Sequence, residues 1–292
     1  MCSSRTRAPL PNTLSNVTAS TGLASTPIRE LRWRRDAARL TAGQLEAVRR
    51  GYRGMTELAD ERGYDFFAGL HGLPLPIECI HDAPTFLPWH RAFLYFFERA
   101  LRDRSPEATL PWWNWATPDG EADVIPAAFA DESADGAPNP LFSARVSEQA
   151  IAWARRAGQH VPGRTTFRDP GAGGRALPSK DQVDDLIAIR DFPTFSSELE
   201  NLHGQVHLWT GGRGGHMRYV PWSSFDPVFW AHHCMVDRLW RLWQIRHNAV
   251  GPPEREWGQA LPPFPVTVAQ TLDVTRLGYD YASSTSSQTV EA

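Results

Sequence analysis

Residues 226 to 240 read Asp-Pro-Val-Phe-Trp-Ala-His-His-Cys-Met-Val-Asp-Arg-Leu-Trp, and this stretch decides the fold. Asp226 can cap a helix, Pro227 suits the first helical position, and no helix breaker follows before His247. The stretch therefore predicts a long, largely apolar helix that has a histidine in its middle.

Helix start signals recur elsewhere in the chain, each followed by apolar residues at helical spacing. Thr41 with Gln44 predicts a capping box ahead of a helix that runs to about Glu61. The other predicted helices run from residues 84–88 to Arg102, over 179–190 behind a box of Ser179 and Gln182, and over 197–209 behind a box of Ser197 and Glu200. The remaining segments are loop-like at 119–140 and 158–178 and β-like at 266–271 and 277–281.

The chain has 292 residues, which is enough for one or two domains, and neither an internal repeat nor a linker divides it. We expect a mainly α fold with long loops and a few short β-strands. The expected organisation is an irregular N-terminal arm over 1–26, a single catalytic domain over 27–282 and a flexible C-terminal tail over 283–292.

Composition excludes several classes of protein. Hydrophobic residues make up 41% of the chain and charged residues 22%, as in ordinary globular proteins. The net charge is −3 and no basic block occurs, so we expect neither nucleic acid nor a membrane as a partner. Residues 1–25 lack the apolar segment of a signal peptide, and the odd count of three cysteines fits a reducing compartment. A cytoplasmic location is therefore expected.

Six of the ten histidines lie on or beside the predicted helices, in two sets. His203 and His207 are four residues apart, so they project from one helix face and can bind one metal ion, and Glu200 lies on the same face. His233 lies in the middle of the helix that begins near Asp226. The two sets are His71, His81 and His90, and His203, His207 and His233.

Each of these histidines has a simpler interpretation as a hydrogen-bonded core or surface residue. The pair His203 and His207 does not match the zinc-protease motif, because Gly204 follows the first histidine where that motif needs glutamate. His232 points about 100° away from His233 around a helix, so we expect that both cannot bind one ion. The remaining histidines are interpreted as structural residues: His160, His216, His232 and His247.

Four stretches around these residues resemble the motifs of the tyrosinase family, the type-3 copper proteins that include tyrosinases, catechol oxidases, aminophenol oxidases and molluscan haemocyanins. The stretches are Phe-Leu-Pro-Trp-His-Arg at 86–91, Leu-Pro-Trp-Trp-Asn-Trp at 110–115, Leu-His-Gly-Gln-Val-His-Leu-Trp at 202–209 and the stretch at 226–240. The resemblance covers roughly residues 28 to 250.

The resemblance implies two copper ions in a four-helix bundle. It places His71, His81 and His90 on the first ion, and His203, His207 and His233 on the second. Neutral imidazoles suit copper, and three nitrogens per ion leave a position open for dioxygen. Helices that face one another are a natural scaffold for such a centre.

The resemblance also suggests roles for residues beside the ligands. In relatives, a cysteine at the position of Cys79 forms a thioether with the histidine corresponding to His81; the alternative is a buried free thiol. Glu200 matches a glutamate that positions a water near the second copper in some members. Relatives with strong monophenol hydroxylation often have asparagine where this chain has Gly204, which favours oxidation of o-diphenols or o-aminophenols.

Support for the ligands is expected from neighbouring residues. Phe229 and Asp237 lie one turn before and after His233, and Asp237 and backbone carbonyls are candidate acceptors for the ligands' second N–H groups. The entrance is expected over 217–224, where Tyr219 and Trp222 could control access.

The function predicted from the resemblance is a dicopper oxidase that uses dioxygen to oxidise o-diphenols, and in some cases monophenols, to o-quinones. Its partners are a small phenolic substrate and O₂, with a copper-delivery helper protein and carrier-assisted export as open alternatives. An o-aminophenol oxidase and a haemocyanin-like oxygen carrier are the competing functions. A zinc or di-metal hydrolase is a third, disfavoured by the lack of carboxylates among the ligands.

Overall fold

The computed structural model describes residues 31–73, 81, 84–116 and 125–283, and these form a mainly helical structure. The expected arm over 1–26 and all of the expected tail except Ser283 lie outside these residues. The α-helices are α1 (Ala42–Thr56), α2 (Tyr64–Gly72), α3 (Phe86–Arg104), α4 (Ala127–Ala130), α5 (Glu148–Arg156), α6 (Lys180–Ala188), α7 (Phe192–Gly211), α8 (Val220–Ser223), α9 (Val228–His247) and α10 (Val268–Thr271). The strands are β1 (Arg32–Arg34), β2 (Ser133–Ala134), β3 (Ala137–Pro138) and β4 (Tyr279–Tyr281).

Local capping explains several of the helix starts. The predicted capping boxes of Thr41 with Gln44 and of Ser179 with Gln182 are both present. The box of Ser197 with Glu200 was wrong, because α7 begins five residues earlier, where the Asp191 carboxylate accepts from the Thr194 amide and a proline lies in the first turn. Glu200 is therefore an interior residue of α7, and its side chain has no capping role.

Helices α3 and α9 form the centre of the core and pack against each other through aromatic side chains. The rings of Phe97 on α3 and Trp230 on α9 stack with centroids 3.5 Å apart, and neither side chain is exposed. Phe93 packs on the same tryptophan, one turn away from Phe97. Since each large aromatic side chain buries 150–250 Å² or so, this contact fixes the distance between the two helices.

The two ends of the described chain meet in a parallel pair of strands, β1 with β4. Arg34 of β1 is fully buried and pairs with Glu98 of α3, at 2.8 Å, and with Asp237 of α9, at 3.4 Å. Its guanidinium also lies 3.7 Å from the ring centre of Tyr279 of β4. This pairing joins both chain ends to the two central helices.

The structure also corrects one predicted strand. The run at 266–271 contains α10, whereas the run at 277–281 contains β4 as expected. Thr267 and Gln270 form a capping box that starts this short helix, a signal the β-branched composition concealed. Within the described ranges, no helix combines the length and apolar composition needed to cross a bilayer.

Candidate metal centre

Four helices bring histidines to one buried position. His71 lies in the last turn of α2, His90 in the second turn of α3, and His233 in the middle of α9. His203 and His207 lie one turn apart on α7. All but His207, which is half-buried, are at most 4% exposed. Five of the six predicted ligands thus come together from segments far apart in the chain.

Backbone carbonyls orient four of these imidazoles. The Nδ1 atoms of His71, His90 and His207 lie 2.9 Å from the carbonyl oxygens of Val220, Phe86 and Met217. The Nδ1 atom of His203 lies 3.2 Å from the carbonyl oxygen of Glu200. A carbonyl can only accept, so each Nδ1 is the protonated donor and each Nε2 has a free lone pair. This tautomer is the one that a metal ligand needs.

The nitrogen atoms converge in two overlapping groups. One nitrogen each of His71, His90 and His233 lies within 4.8 Å of the others, and the same holds for His203, His207, His232 and His233. The Nε2 atoms of His207 and His233 are 3.3 Å apart. Those of His71 and His203 are buried without a hydrogen-bond partner. Leaving buried polar atoms unpaired costs about 1–3 kcal/mol each, so these Nε2 atoms are suited to bind a metal ion.

Burial keeps these imidazoles neutral. It lowers the pKa of His207 from 6.5 to about 4, and it lowers the pKa values of His71, His90, His203 and His233 well below 6.5. Neighbouring imidazoles lower the pKa values of those four further, because adjacent positive charges repel. At neutral pH all five are uncharged and able to coordinate a metal.

The chemistry of this donor set fits copper. Both nitrogen groups consist only of imidazoles, and neither contains a carboxylate that would favour magnesium or calcium. The orphaned Nε2 atoms point inward from oriented rings, as ligands should. The described residues therefore fit the metal that the motifs imply.

His81 lies beside the first group but not within it. Its ring centre is 6.1 Å from that of His71 and 5.8 Å from that of His90, and the residue lines the same cavity. Its assignment to the first copper stays a prediction. Cys79, the predicted thioether partner of His81, lies outside the described residues.

His232 is closer to the cluster than expected. It is fully buried, its ring stacks on His203 with centroids 5.2 Å apart, and neither of its nitrogens has a hydrogen-bond partner. Nitrogens of both His232 and His233 belong to the group with His203 and His207, so their rotation around the helix does not separate them, and the expectation that both cannot bind one ion stays a prediction. A rotation of about 100° still leaves both side chains on the half of α9 that faces α7. The sequence signal for a second histidine near the cluster was the adjacent pair His232 and His233.

The predicted supporting residues differ in what they contact. The ring of Phe229 packs against His233 with centroids 4.2 Å apart, which limits rotation of that imidazole. Asp237 is not the acceptor for an imidazole, so that prediction was wrong. Its carboxylate instead accepts from the Arg91 Nε atom at 2.5 Å and from the Tyr279 and Tyr281 hydroxyls at 2.7 and 2.5 Å. Two cationic side chains compete more strongly for this buried carboxylate than a neutral ring can.

A cavity of about 340 Å³ opens above the cluster. Glu200 and Gly204 lie in its wall, as the motif comparison led us to expect. Of the predicted entrance, Met217, Arg218, Val220 and Ser223 line the cavity. Trp222 is buried and its indole N–H donates to the His160 carbonyl at 2.9 Å, so the prediction that it controls access was wrong. The ring of Tyr219 also packs on His160 rather than lining the cavity.

Comparison with known protein families agrees with the geometry. Residues 61–246 match the family model described as the common central domain of tyrosinase. A tyrosinase of Streptomyces antibioticus is 32% identical over 236 residues, which cover 73% of this chain and 83% of the relative. A G-type hemocyanin of Enteroctopus dofleini, units Oda to Odg, is 29% identical over 265 residues, covering 83% of this chain but only 9% of that relative.

Solved structures show the same fold. A functional unit of octopus hemocyanin has a TM-score of 0.72 and 25% identity, over 86% of this chain and 68% of that chain. A copper-depleted active tyrosinase of Aspergillus oryzae, complexed with L-tyrosine, has a TM-score of 0.73 and 18% identity, over 91% of this chain and 96% of that chain. The likeness to the fungal protein concerns the fold alone.

Proposed function

The chain belongs to the tyrosinase family of type-3 copper proteins, and from this premise we propose that it oxidises o-diphenols to o-quinones with dioxygen. The observation that carries the proposal is a buried, nitrogen-only cluster that opens into a cavity of about 340 Å³. That volume lies in the range of small-molecule sites and suits a single phenolic ring.

Six histidines would hold the two copper ions in the proposed site. His71, His81 and His90 would bind the first ion, and His203, His207 and His233 the second. Copper, when bound, supplies the electron transfer that couples substrate oxidation to reduction of dioxygen. The balance is two diphenols and one O₂ to two o-quinones and two waters, so each diphenol loses two electrons and two protons.

The residues of this chain orient the reactants and limit water. The carbonyls of Val220, Phe86 and Met217 hold three of the imidazoles in fixed directions. Phe86 and Phe229 pack against the rings from opposite helices and keep the interior apolar. Fixed ligand directions mean that little reorganisation is needed when a substrate binds.

Glu200 is the proposed acceptor for substrate protons. It is half-buried in the cavity wall, one turn before His203 on the same helix. A carboxylate placed there can hold a water molecule or take a proton from a phenolic hydroxyl. Gly204 contributes no side chain to fix such a water, which supports diphenols over monophenols as substrates.

Two other functions are weighed against this one. An o-aminophenol oxidase, forming quinone imines, would use the same cavity and ligands. A haemocyanin-like oxygen carrier would need the same cluster without substrate access, and the hemocyanin relatives favour it. Access supports the oxidase, since the cavity is lined by surface residues such as Val220, which is 41% exposed.

The test uses purified protein loaded with copper in vitro. We expect consumption of dioxygen and formation of coloured quinone with 4-methylcatechol, and a parallel assay with o-aminophenol ranks the two oxidase activities. His90→Ala and His207→Ala should each abolish turnover, whereas His247→Ala, at the far end of α9, should not. Reversible oxygen binding without catechol oxidation would refute the oxidase and support the carrier.

A further inference from the structure

One cationic side chain lies in the wall of the cavity. Arg218 ends the 3₁₀ helix His216–Arg218 and is exposed to solvent. Among the described residues that line the cavity, Glu200 is the other one with a full charge. The rest of the wall consists of imidazoles and small or apolar side chains, so Arg218 and Glu200 are the two charged side chains that a substrate meets there.

The position of Arg218 is tied to the metal cluster through the backbone. The Met217 carbonyl that accepts from His207 Nδ1 belongs to the same peptide group as the Arg218 nitrogen. Gly211, at the end of α7, allows this approach, because a Cβ there would lie 2.3 Å from the Arg218 nitrogen. The guanidinium donates through Nη1 to the Gly212 carbonyl at 2.9 Å, which holds the head group at the end of α7.

Among the described residues, Arg218 has no acidic partner, unlike Arg168 and Arg213. Arg168 pairs with the buried Asp226, and Arg213 pairs with Asp169 at 3.3 Å. Within the described part of the chain, no carboxylate oxygen lies within 4.0 Å of the Arg218 guanidinium. The one hydrogen bond of its head group uses a single N–H of five, so donors in a fork geometry stay available for a planar anion.

The two charged side chains are held at different places along α7. Arg218 donates to the carbonyl of Gly212, which directly follows the helix, whereas Glu200 lies about three turns before the end of the helix. His207 is five residues from Gly212, about 8 Å along the same axis. A phenol whose hydroxyls reach His207 can therefore direct its opposite substituent toward Arg218 and away from Glu200.

We propose that Arg218 determines specificity for phenolic substrates that carry a carboxylate on the substituent opposite the hydroxyl groups. This inference rests on the proposed oxidation of phenols and names the class of phenol. A guanidinium binds a carboxylate through two parallel N–H bonds, which fixes direction as well as charge. The apolar side chains of Leu208, Met217 and Val220 then contact the ring and the linking methylenes.

The kinetic test compares three catechols that differ in the charge of the substituent opposite the hydroxyl groups. These are 3-(3,4-dihydroxyphenyl)propionate, the neutral 4-ethylcatechol and the cationic dopamine. In Arg218→Gln we expect kcat/KM for the acid, relative to the neutral catechol, to fall by about threefold to tenfold, mainly through KM. In the same variant, kcat/KM for dopamine should rise relative to that for the neutral catechol. Arg218→Lys should retain part of the preference for the acid.

A matched control and a binding measurement complete the design. Arg213→Gln removes an arginine that lies on the same loop and outside the cavity wall. This variant should keep the wild-type ratio of kcat/KM for the acid to kcat/KM for the neutral catechol. Calorimetry on the copper-loaded protein should show that 3-phenylpropionate binds more tightly than 3-phenylpropanol, and that Arg218→Gln removes the difference.

Failure of the two proposals can be told apart. If the wild-type protein oxidises no catechol, the proposed function fails, and calorimetry still tests the carboxylate site. If catechols are oxidised but kcat/KM for the acid does not exceed that for the neutral catechol, the role of Arg218 is refuted. It is also refuted if Arg218→Gln and Arg213→Gln change the ratio of these two kcat/KM values equally.

Discussion

Replacement of Asp237 by asparagine should destabilise the protein more than any exposed charge substitution. The carboxylate is 3% exposed and lies between two fully buried guanidinium groups, those of Arg91 and Arg34. Asparagine keeps the size of the side chain but removes the negative charge and one acceptor. Arg91 would then lose its carboxylate partner, whereas Arg34 would keep Glu98.

The size of the effect follows from this burial. Breaking a buried ion pair by removing one partner costs about 3–5 kcal/mol, because the remaining charge is left uncompensated. For a protein of this size, each kcal/mol lowers the melting temperature by about 2–4 °C. We therefore expect Asp237→Asn to melt roughly 6–20 °C below the wild type.

The same substitution should also weaken metal binding. Arg91 directly follows His90 on α3, and Asp237 lies one turn after His233 on α9. Their ion pair, at 2.5 Å, therefore joins the two helices close to the ligands of both groups. We expect copper titrations to show lower affinity in Asp237→Asn than in the wild type.

The assay is thermal unfolding followed by circular dichroism, with and without copper. Asp184→Asn is the matched control, because its partner Lys180 is 60% exposed and such pairs contribute about 1 kcal/mol or less. A melting temperature for Asp237→Asn within 2 °C or so of that control would refute the argument for a buried ionic brace.

Three further predictions follow from the same structure. A Cβ at Gly204 would meet no atom within 4 Å, so Gly204→Ala should stabilise α7 by about 0.5–1 kcal/mol in a thermal melt, and a lower melting temperature would contradict this. Gly204→Asn, but not Gly204→Ala, should raise the ratio of monophenol to diphenol oxidation, since only the amide can hold a water near Glu200; equal ratios would contradict the role of that water. Burial raises the pKa of Asp237, but Arg91 and Arg34 outweigh it and hold the pKa below 3.8. The stabilisation by the Asp237 carboxylate is therefore present above pH 3.8 and lost as the pH falls through the lower folded-state pKa. The difference in unfolding free energy between wild type and Asp237→Asn should stay constant above about pH 5 and shrink below pH 3.8. A difference that shrinks between pH 7 and 5 would contradict this prediction.

Local signals predicted the helices because those signals act over three or four residues. The boxes at Thr41 and Ser179 depend on side chains that bond their own turn, and the Asp226 carboxylate accepts from the Val228 amide where α9 begins. Ser197 misled the prediction because serine and glutamate three residues apart also occur inside helices. The true start at Asp191 had an equally good local signal, a capping aspartate followed by proline.

The parts of the site that escaped prediction depend on contacts between distant segments. Nothing in the neighbourhood of Asp237 indicates that Arg34, 203 residues away, competes for its carboxylate. The burial of Trp222 is likewise set by the His160 carbonyl, 62 residues earlier. The motifs identified five of the histidines that gather, whereas His232, the carbonyls that orient the rings and the placement of Arg218 required the packed structure.

The parallel pairing of β1 with β4 has a consequence for the order of events during synthesis. Arg34 and Tyr281 hydrogen-bond at 2.9 Å although 247 residues separate them. At about 5–20 residues per second, a ribosome needs roughly 12 to 50 seconds to make that interval. Until then, the Asp237 carboxylate lacks the two hydroxyl donors of β4, Tyr279 and Tyr281. The full set of hydrogen bonds around Asp237 is therefore completed only after β4 has been synthesised, later than the helices that carry the histidines.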